Sequence, residues 1–352
     1  MHLPSWCRAH GHGVAPGPVD GWVVTRGRAD DARWQGAIRA GGPGPAGLAE
    51  RAPATWGLAA RGALVEDGGP PLRQADLDRK AEVWADIAPK LYAQALAGQW
   101  DPATAVDWGA PLHPDPGVEA AVVQVMTYLV ENELAALVIP ARFVARVHPH
   151  YREVVQLLAV QAADEARHVE VFTRRAELSG APLGTSGAGG RASLQTLLDE
   201  GDFSLAAFML SVLGEGTFLD LLSFLERHGP DAVTRRVAHL ALADEARHVA
   251  FGVAHLEHRL AADPGLRPRL RAAVEHRHDV LASTAGLHEG VRDALVVLAA
   301  GAWSPDAVAT GWDRVQALVA DMDEGRRRRL ARLGFSPAEA AELSALHTRN
   351  FM

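Results

Sequence analysis

The heptapeptide Ala163-Asp-Glu-Ala-Arg-His-Val169 recurs letter for letter as Ala243-Asp-Glu-Ala-Arg-His-Val249. Each copy contains Glu-x-x-His, as Glu165/His168 and Glu245/His248. On a helix, residues three apart lie on one face about a turn from each other, so each pair can offer a carboxylate and an imidazole to one metal ion. Both copies are embedded in apolar sequence, Val154–Phe172 and Val237–Phe251, where a solvated salt-bridging face is out of place. Seven shared letters mark an internal duplication.

Two such helices, each with a partner helix that supplies one more Glu, form a dinuclear carboxylate site inside a four-helix bundle. In the second half the added carboxylate is Glu215, the only acid between Phe203 and Leu219 and 30 residues before Glu245. In the first half Glu133 and Glu131 compete. Glu133 precedes Glu165 by 32 residues and shares its helical face with Val122, Met126, Leu129 and Ala136, whereas Glu131 shares its face with Gln124, Thr127 and Tyr128. Glu133 is therefore preferred, with Glu131 as the alternative. Four carboxylates and two imidazoles are a hard, oxygen-rich set that suits Fe or Mn. Asp164 is placed to accept from His248, and Asp244 from His168, which would fix tautomer and ring orientation. Arg167 and Arg247 are expected to pair with acidic neighbours. His148, His150, His255, His258, His276 and His278 are read as solvated surface.

The elements that must hold these residues are helical. From Gln74 onward the chain is Ala/Leu-rich, with apolar residues three and four apart and no alternating β-branched runs. The pattern predicts helices over about 74–99, 117–139 (stopped near Pro140), 151–178, 203–227 and 231–260. A flexible linker follows Leu178, a short piece covers 194–199, and shorter helices lie past Pro264, with breaks near Gly301–Pro305 and Gly334. The expected organisation is an N-terminal segment 1–73 ordered in part at most, a di-metal bundle 74–264, and a C-terminal helical extension 265–352 packed on it. Of the 55 Gly and Pro residues, 22 fall in 1–73, yet Trp6, Trp22, Trp34 and Trp56 argue against a wholly disordered tail.

Composition narrows the function classes. With 35 Lys plus Arg against 43 Asp plus Glu, the net charge is −8, which disfavours a nucleic-acid footprint. The longest uncharged apolar stretches, Ala120–Val130 and Phe203–Gly214, fall short of the ~20 residues of a membrane span. The start of the chain lacks the pattern of a secretory signal, so a soluble cytoplasmic protein is expected. Cys7 is the only cysteine, which excludes an intramolecular disulfide, a Cys-rich zinc site and a Cys-ligated iron–sulfur cluster. Gly42-Pro-Gly44-Pro-Ala-Gly47 matches the letters of a dinucleotide-binding turn, but its prolines and the lack of strand and helix around it make it a chance match.

With Glu133, Glu165-x-x-His168, Glu215 and Glu245-x-x-His248 in place, residues of about 74–262 resemble the ferritin-like di-iron carboxylate superfamily. The resemblance implies an all-α, ferritin-like four-helix bundle with additional N- and C-terminal helices, two Fe ions or a mixed Mn/Fe pair, and O2 as co-substrate. The Asp-Glu-x-Arg-His wording is most similar to that of its oxygenases and desaturases. Phe172 stands where radical-storing reductase subunits have Tyr, Ala241 where arylamine N-oxygenases have a seventh ligand, and Leu219 where multicomponent monooxygenases have Thr. Phe172, Phe208, Val212, Phe218, Leu219 and Phe251 are candidates for an apolar substrate pocket beside the metals. The reading is an O2-dependent dinuclear iron oxygenase that hydroxylates, N-oxygenates or desaturates a small molecule. Its alternatives are a ferritin-like iron store or peroxide scavenger and a radical-generating subunit. An external electron donor, a ferredoxin or flavin reductase, is expected, and a homodimer is compatible with the chain.

Overall fold

Apolar residues at helical spacing dictate the architecture from Lys80 onward, where among the described residues every helix or strand element is a helix. The computed structural model describes residues 2–27, 34–282 and 289–347. They divide into two compact units, residues 1–80 with 148–150, and residues 81–147 with 151–352.

The first unit holds helix α1 (Leu3–Ala9) and two antiparallel pairs, β1 (Gly13–Pro16) with β2 (Trp22–Thr25), and β3 (Ile38–Arg39) with β4 (Leu64–Val65). His148 and His150 are buried within it, with His150 Nε2 accepting from Ala49 N at 2.9 Å. The solvated reading of these two histidines is thus corrected.

The second unit is all-α. After the single turn α2 (Lys80–Val83) come α3 (Ala88–Ala97), α4 (Pro116–Val144), α5 (Arg152–Glu177) and α6 (Ala188–Asp199). A broken rod follows, made of α7 (Phe203–Ala207), a π-helical stretch (Phe208–Glu215) and α8 (Gly216–His228). The chain continues through α9 (Ala232–Ala262), α10 (Leu266–Ala282), α11 (Glu289–Ala300), α12 (Pro305–Arg332) and α13 (Pro337–His347). The four-helix core consists of α4, α5, the rod and α9, with α4 on α5 and α8 on α9. One continuous apolar cluster runs from Met126 and Leu129 through Phe172, Leu222 and Val237 to Leu295. Asp115 caps α4 through Gly117 N, and Asp231 caps α9 through Thr234 N.

Several expected boundaries shift for local reasons. The helix expected over 74–99 is interrupted, because Pro89 lacks an N–H and begins α3 instead. Conversely, α4 passes through Pro140, since Arg142 beyond it donates to Leu198 O and Glu200 O, and Phe143 packs edge-on against Phe203 at 5.0 Å. The stretch read as a flexible linker is tied to α4 by Gly184 N to Thr127 Oγ1 and Thr185 N to Gln124 Oε1, both at 2.8 Å. Past Pro264, α12 is a 28-residue helix where shorter ones were expected. By length and composition α4 and the Phe203–His228 rod could each cross a membrane, but both are mostly buried against their neighbours.

Two buried groups tie the core helices together and yield predictions. Arg175, fully buried at the end of α5, makes a bidentate pair with Glu119 of α4 at 2.7 and 2.8 Å and reaches Asp231 at 2.7 Å and Thr234 Oγ1 at 2.8 Å. Arg175→Met leaves two buried carboxylates uncompensated, so thermal or urea unfolding should show a loss of about 3–5 kcal/mol. An unchanged midpoint would refute this.

His255, read from the sequence as surface, is fully buried between Ser204 Oγ at 3.1 Å and Trp84 O at 3.3 Å. Burial lowers its pKa to about 4, with Arg259 and His258 adding to the effect. A depressed histidine keeps its full contribution above the unfolded value near 6.5. That contribution is lost as pH falls toward 4, because the unfolded chain takes the proton first. His255→Gln should flatten this acid limb of the stability profile, and an unchanged limb would exclude the group as its source.

Candidate metal centre

Glu165 and His168 project from one face of α5, and Glu245 and His248 from one face of α9, because each pair is spaced by three. Glu133 reaches the same point from α4, and Glu215 from the last position of the π-helical stretch. All six side chains are buried. Their donor atoms form two groups, each lying within 4.8 Å: Glu133, Glu165, His168 and Glu245, and Glu165, Glu215, Glu245 and His248. Glu165 and Glu245 belong to both, so each could serve both members of an ion pair. Glu131 lies outside both groups and is half-buried.

The imidazoles are oriented from behind. His168 turns Nδ1 toward Glu165 at 3.0 Å and Nε2 toward Asp244 Oδ2 at 3.2 Å. His248 turns Nδ1 toward Glu165 Oε1 at 3.0 Å and Nε2 toward Asp164 Oδ2 at 3.3 Å. Each aspartate therefore faces the histidine of the other repeat. Arg167 and Arg247 pair with Asp164 and Asp244 respectively and also cross over, at 3.2 Å to Asp244 and 3.4 Å to Asp164. These arginines neutralise the outer aspartates and leave the four glutamates without a basic partner other than histidine.

That imbalance tests whether the residues fit a metal pair. Burial, followed by the charge of Glu165, holds the Glu133 carboxyl well above its ordinary pKa. Burial and the charge of Glu245 do the same to Glu215. Burial alone would raise Glu165, but His248 and His168 beside it hold it below the usual range. Burial would lower both histidines, yet the surrounding carboxylates raise His168 and His248 well above theirs. Glu133 Oε1 and Glu215 Oε2 are buried acceptors with no hydrogen-bond donor. Four clustered carboxylates are costly in a low-dielectric interior unless cations balance them, and two divalent ions would do so. The donor set fits two Fe ions, or Mn with Fe.

Beside the donors lies a cavity of about 20 Å³, room for one water, walled by Asn132, Ala136, Leu194, Leu197, Leu210, Gly214 and Phe218 and floored by Glu133, Glu215 and Glu245. Of the pocket candidates, Phe218 lines this cavity. Phe251 lines a second one, with Leu210, Ser211 and Gln161. Phe172, Phe208 and Val212 are fully buried without lining either cavity, and Leu219 is half-buried outside them. Helix α6 supplies Leu194 and Leu197, which sequence reasoning missed because nothing local joins α6 to the ligand helices.

Three further contacts were also missed. Gln161 Nε2 donates to Glu215 Oε1 at 3.0 Å. Trp100 Nε1 donates to Asp244 at 2.9 Å, and Gln99 Nε2 to Asp164 at 3.2 Å. Gln161 carried a readable signal, being a polar residue one turn before Glu165 on the same apolar face. Trp100 lies 144 residues from its partner and carried none.

No protein-family model and no curated relative matches the chain. Among solved structures, it is similar to a Synechococcus protein with aldehyde deformylating oxidase activity, at 15% identity and TM-score 0.48, covering 66% of this chain and 98% of that one. It is also similar to an R2-like ligand-binding oxidase from Sulfolobus acidocaldarius, at 15% identity and TM-score 0.47, covering 72% and 94%. A point mutant of an R2-like ligand-binding oxidase with an aerobically reconstituted Mn/Fe cofactor aligns at 17% identity and TM-score 0.45, covering 73% and 92%.

Proposed function

We propose that the chain is an O2-dependent dinuclear oxidase that hydroxylates, N-oxygenates or desaturates a small organic molecule in a soluble, cytoplasmic setting. The observation that carries this reading is the pair of four-donor groups sharing Glu165 and Glu245 beside a cavity with Leu194, Leu197, Leu210 and Phe218 in its wall. When bound, the metal pair supplies electrons for the reduction of O2. The protein's own residues do the rest. Glu133, Glu165, His168, Glu215, Glu245 and His248 would hold the ions, Asp164 and Asp244 would fix the imidazole tautomers, and Gln161 would steady Glu215. Leu194, Leu197, Leu210 and Phe218 line the space beside the donors and, by moving apart, would admit an apolar portion of the substrate.

The test loads the protein with iron anaerobically, counts the metal and mixes the reduced protein with O2. Roughly two Fe per chain and O2 uptake near one per metal pair are expected. Small apolar substrates should accelerate the uptake. Iron accumulating far beyond that ratio would instead identify a store.

A further inference from the structure

Glu215 ends the π-helical stretch, and the return to an α-helix at that point strands a carbonyl. Gly216 N–H is shared among Ser211 O, five residues back, Leu213 O and Gly214 O. Where α8 resumes the four-residue step, one carbonyl of this turn loses its intrahelical donor. A buried carbonyl without a donor is costly. Arg329 of α12 supplies one, its Nε donating to Val212 O at 2.8 Å. Glycine at 216 is what admits this side chain, because a Cβ there would stand 2.4 Å from the Arg329 Nε and 2.6 Å from its Cζ. One turn earlier on α12, the buried Arg326 donates to Thr217 Oγ1 at 3.2 Å, and that hydroxyl donates to Leu213 O at 2.7 Å. Helix α12 thus grips the turn on either side of Glu215.

We propose that Arg329 is a positioning residue for the metal centre: by donating to Val212 O, it fixes the turn from which Glu215 projects. This gives α12, which contributes none of the six clustered donors, a direct part in the geometry of the site. The inference rests on Glu215 being a metal ligand.

The test uses the full chain loaded anaerobically with Co(II), whose visible ligand-field bands report coordination geometry. Arg329→Met keeps the side-chain volume but removes the donor. It should leave the chain helical and able to take a full pair of ions at saturation, with shifted bands and affinity at one position weakened about tenfold or more. Gly216→Ala retains Arg329 but displaces it, should produce a similar shift, and carries the test if Arg329→Met does not fold. Arg328→Met, at an exposed neighbour paired with Glu324, should change nothing. A merely structural role would lower stability without moving the bands. Unaltered bands in Arg329→Met, or in a folded Gly216→Ala standing in for it, overturn the inference if Glu215→Ala alters them. Unaltered bands in Glu215→Ala overturn the ligand reading itself.

Discussion

Glu245→Ala should empty the metal centre, reducing bound iron from about two per chain to a trace and abolishing turnover while the chain stays helical. The effect is larger than that of losing a terminal ligand because Glu245 belongs to both donor groups. The apo-protein should not suffer. Removing one of four clustered carboxylates relieves the repulsion that, after burial, raises Glu215. The melting temperature of the metal-free variant should therefore match or exceed that of the metal-free parent. What disappears is the rise in stability on adding Fe(II), since a ligand stabilises only the state that binds it. Glu165→Ala should behave alike, and His168→Ala, His248→Ala and Glu215→Ala should each lose iron and activity. Glu133→Ala should lose activity while Glu131→Ala remains mild. Full iron content and activity in Glu245→Ala would sink the assignment, and inverted results at 133 and 131 would move that ligand by two residues.

How much of this was legible in the sequence follows the range of the interactions. The two Glu-x-x-His pairs were readable because their geometry is local, a matter of one helical turn. Glu133 and Glu215 were readable as single acids on apolar faces, since an unpaired buried carboxylate needs a reason. The crossed pairs of Asp164 with His248 and Asp244 with His168 could be framed once the repeat implied two facing helices. The π-helical stretch before Glu215 was not readable, because one inserted residue leaves the apolar pattern almost unchanged. Nor was the role of α12, because Arg329 and Val212 are separated by 117 residues and meet only through tertiary packing. His255 misled for the opposite reason. Its charged sequence neighbours suggested solvent, whereas its own face of α9 turns toward Ser204 and Phe203.

Purified protein given substrate, O2 and NADH or NADPH, but no reductase, should form no product beyond a single turnover of any metal reduced beforehand. Each O2 must receive four electrons. Hydroxylation takes two from the substrate, so two must arrive from elsewhere, unless the substrate supplies all four. Two features of the chain bear on an internal relay from a nicotinamide, and neither supplies one. Cys7, the only cysteine in the chain, is buried in the first unit and cannot by itself hold an iron–sulfur cluster. The Gly42–Gly47 string closes on itself, with Gly42 N donating to Gly47 O at 2.9 Å and a single 3-10 turn at Pro45–Gly47. It therefore lacks the strand-to-helix turn whose N–H groups would hold a pyrophosphate. Adding a ferredoxin or flavin reductase with its own reductant should convert the single turnover into a linear rate. Linear product formation with NADH or NADPH alone would refute the need for an external donor and require a nucleotide site within this chain.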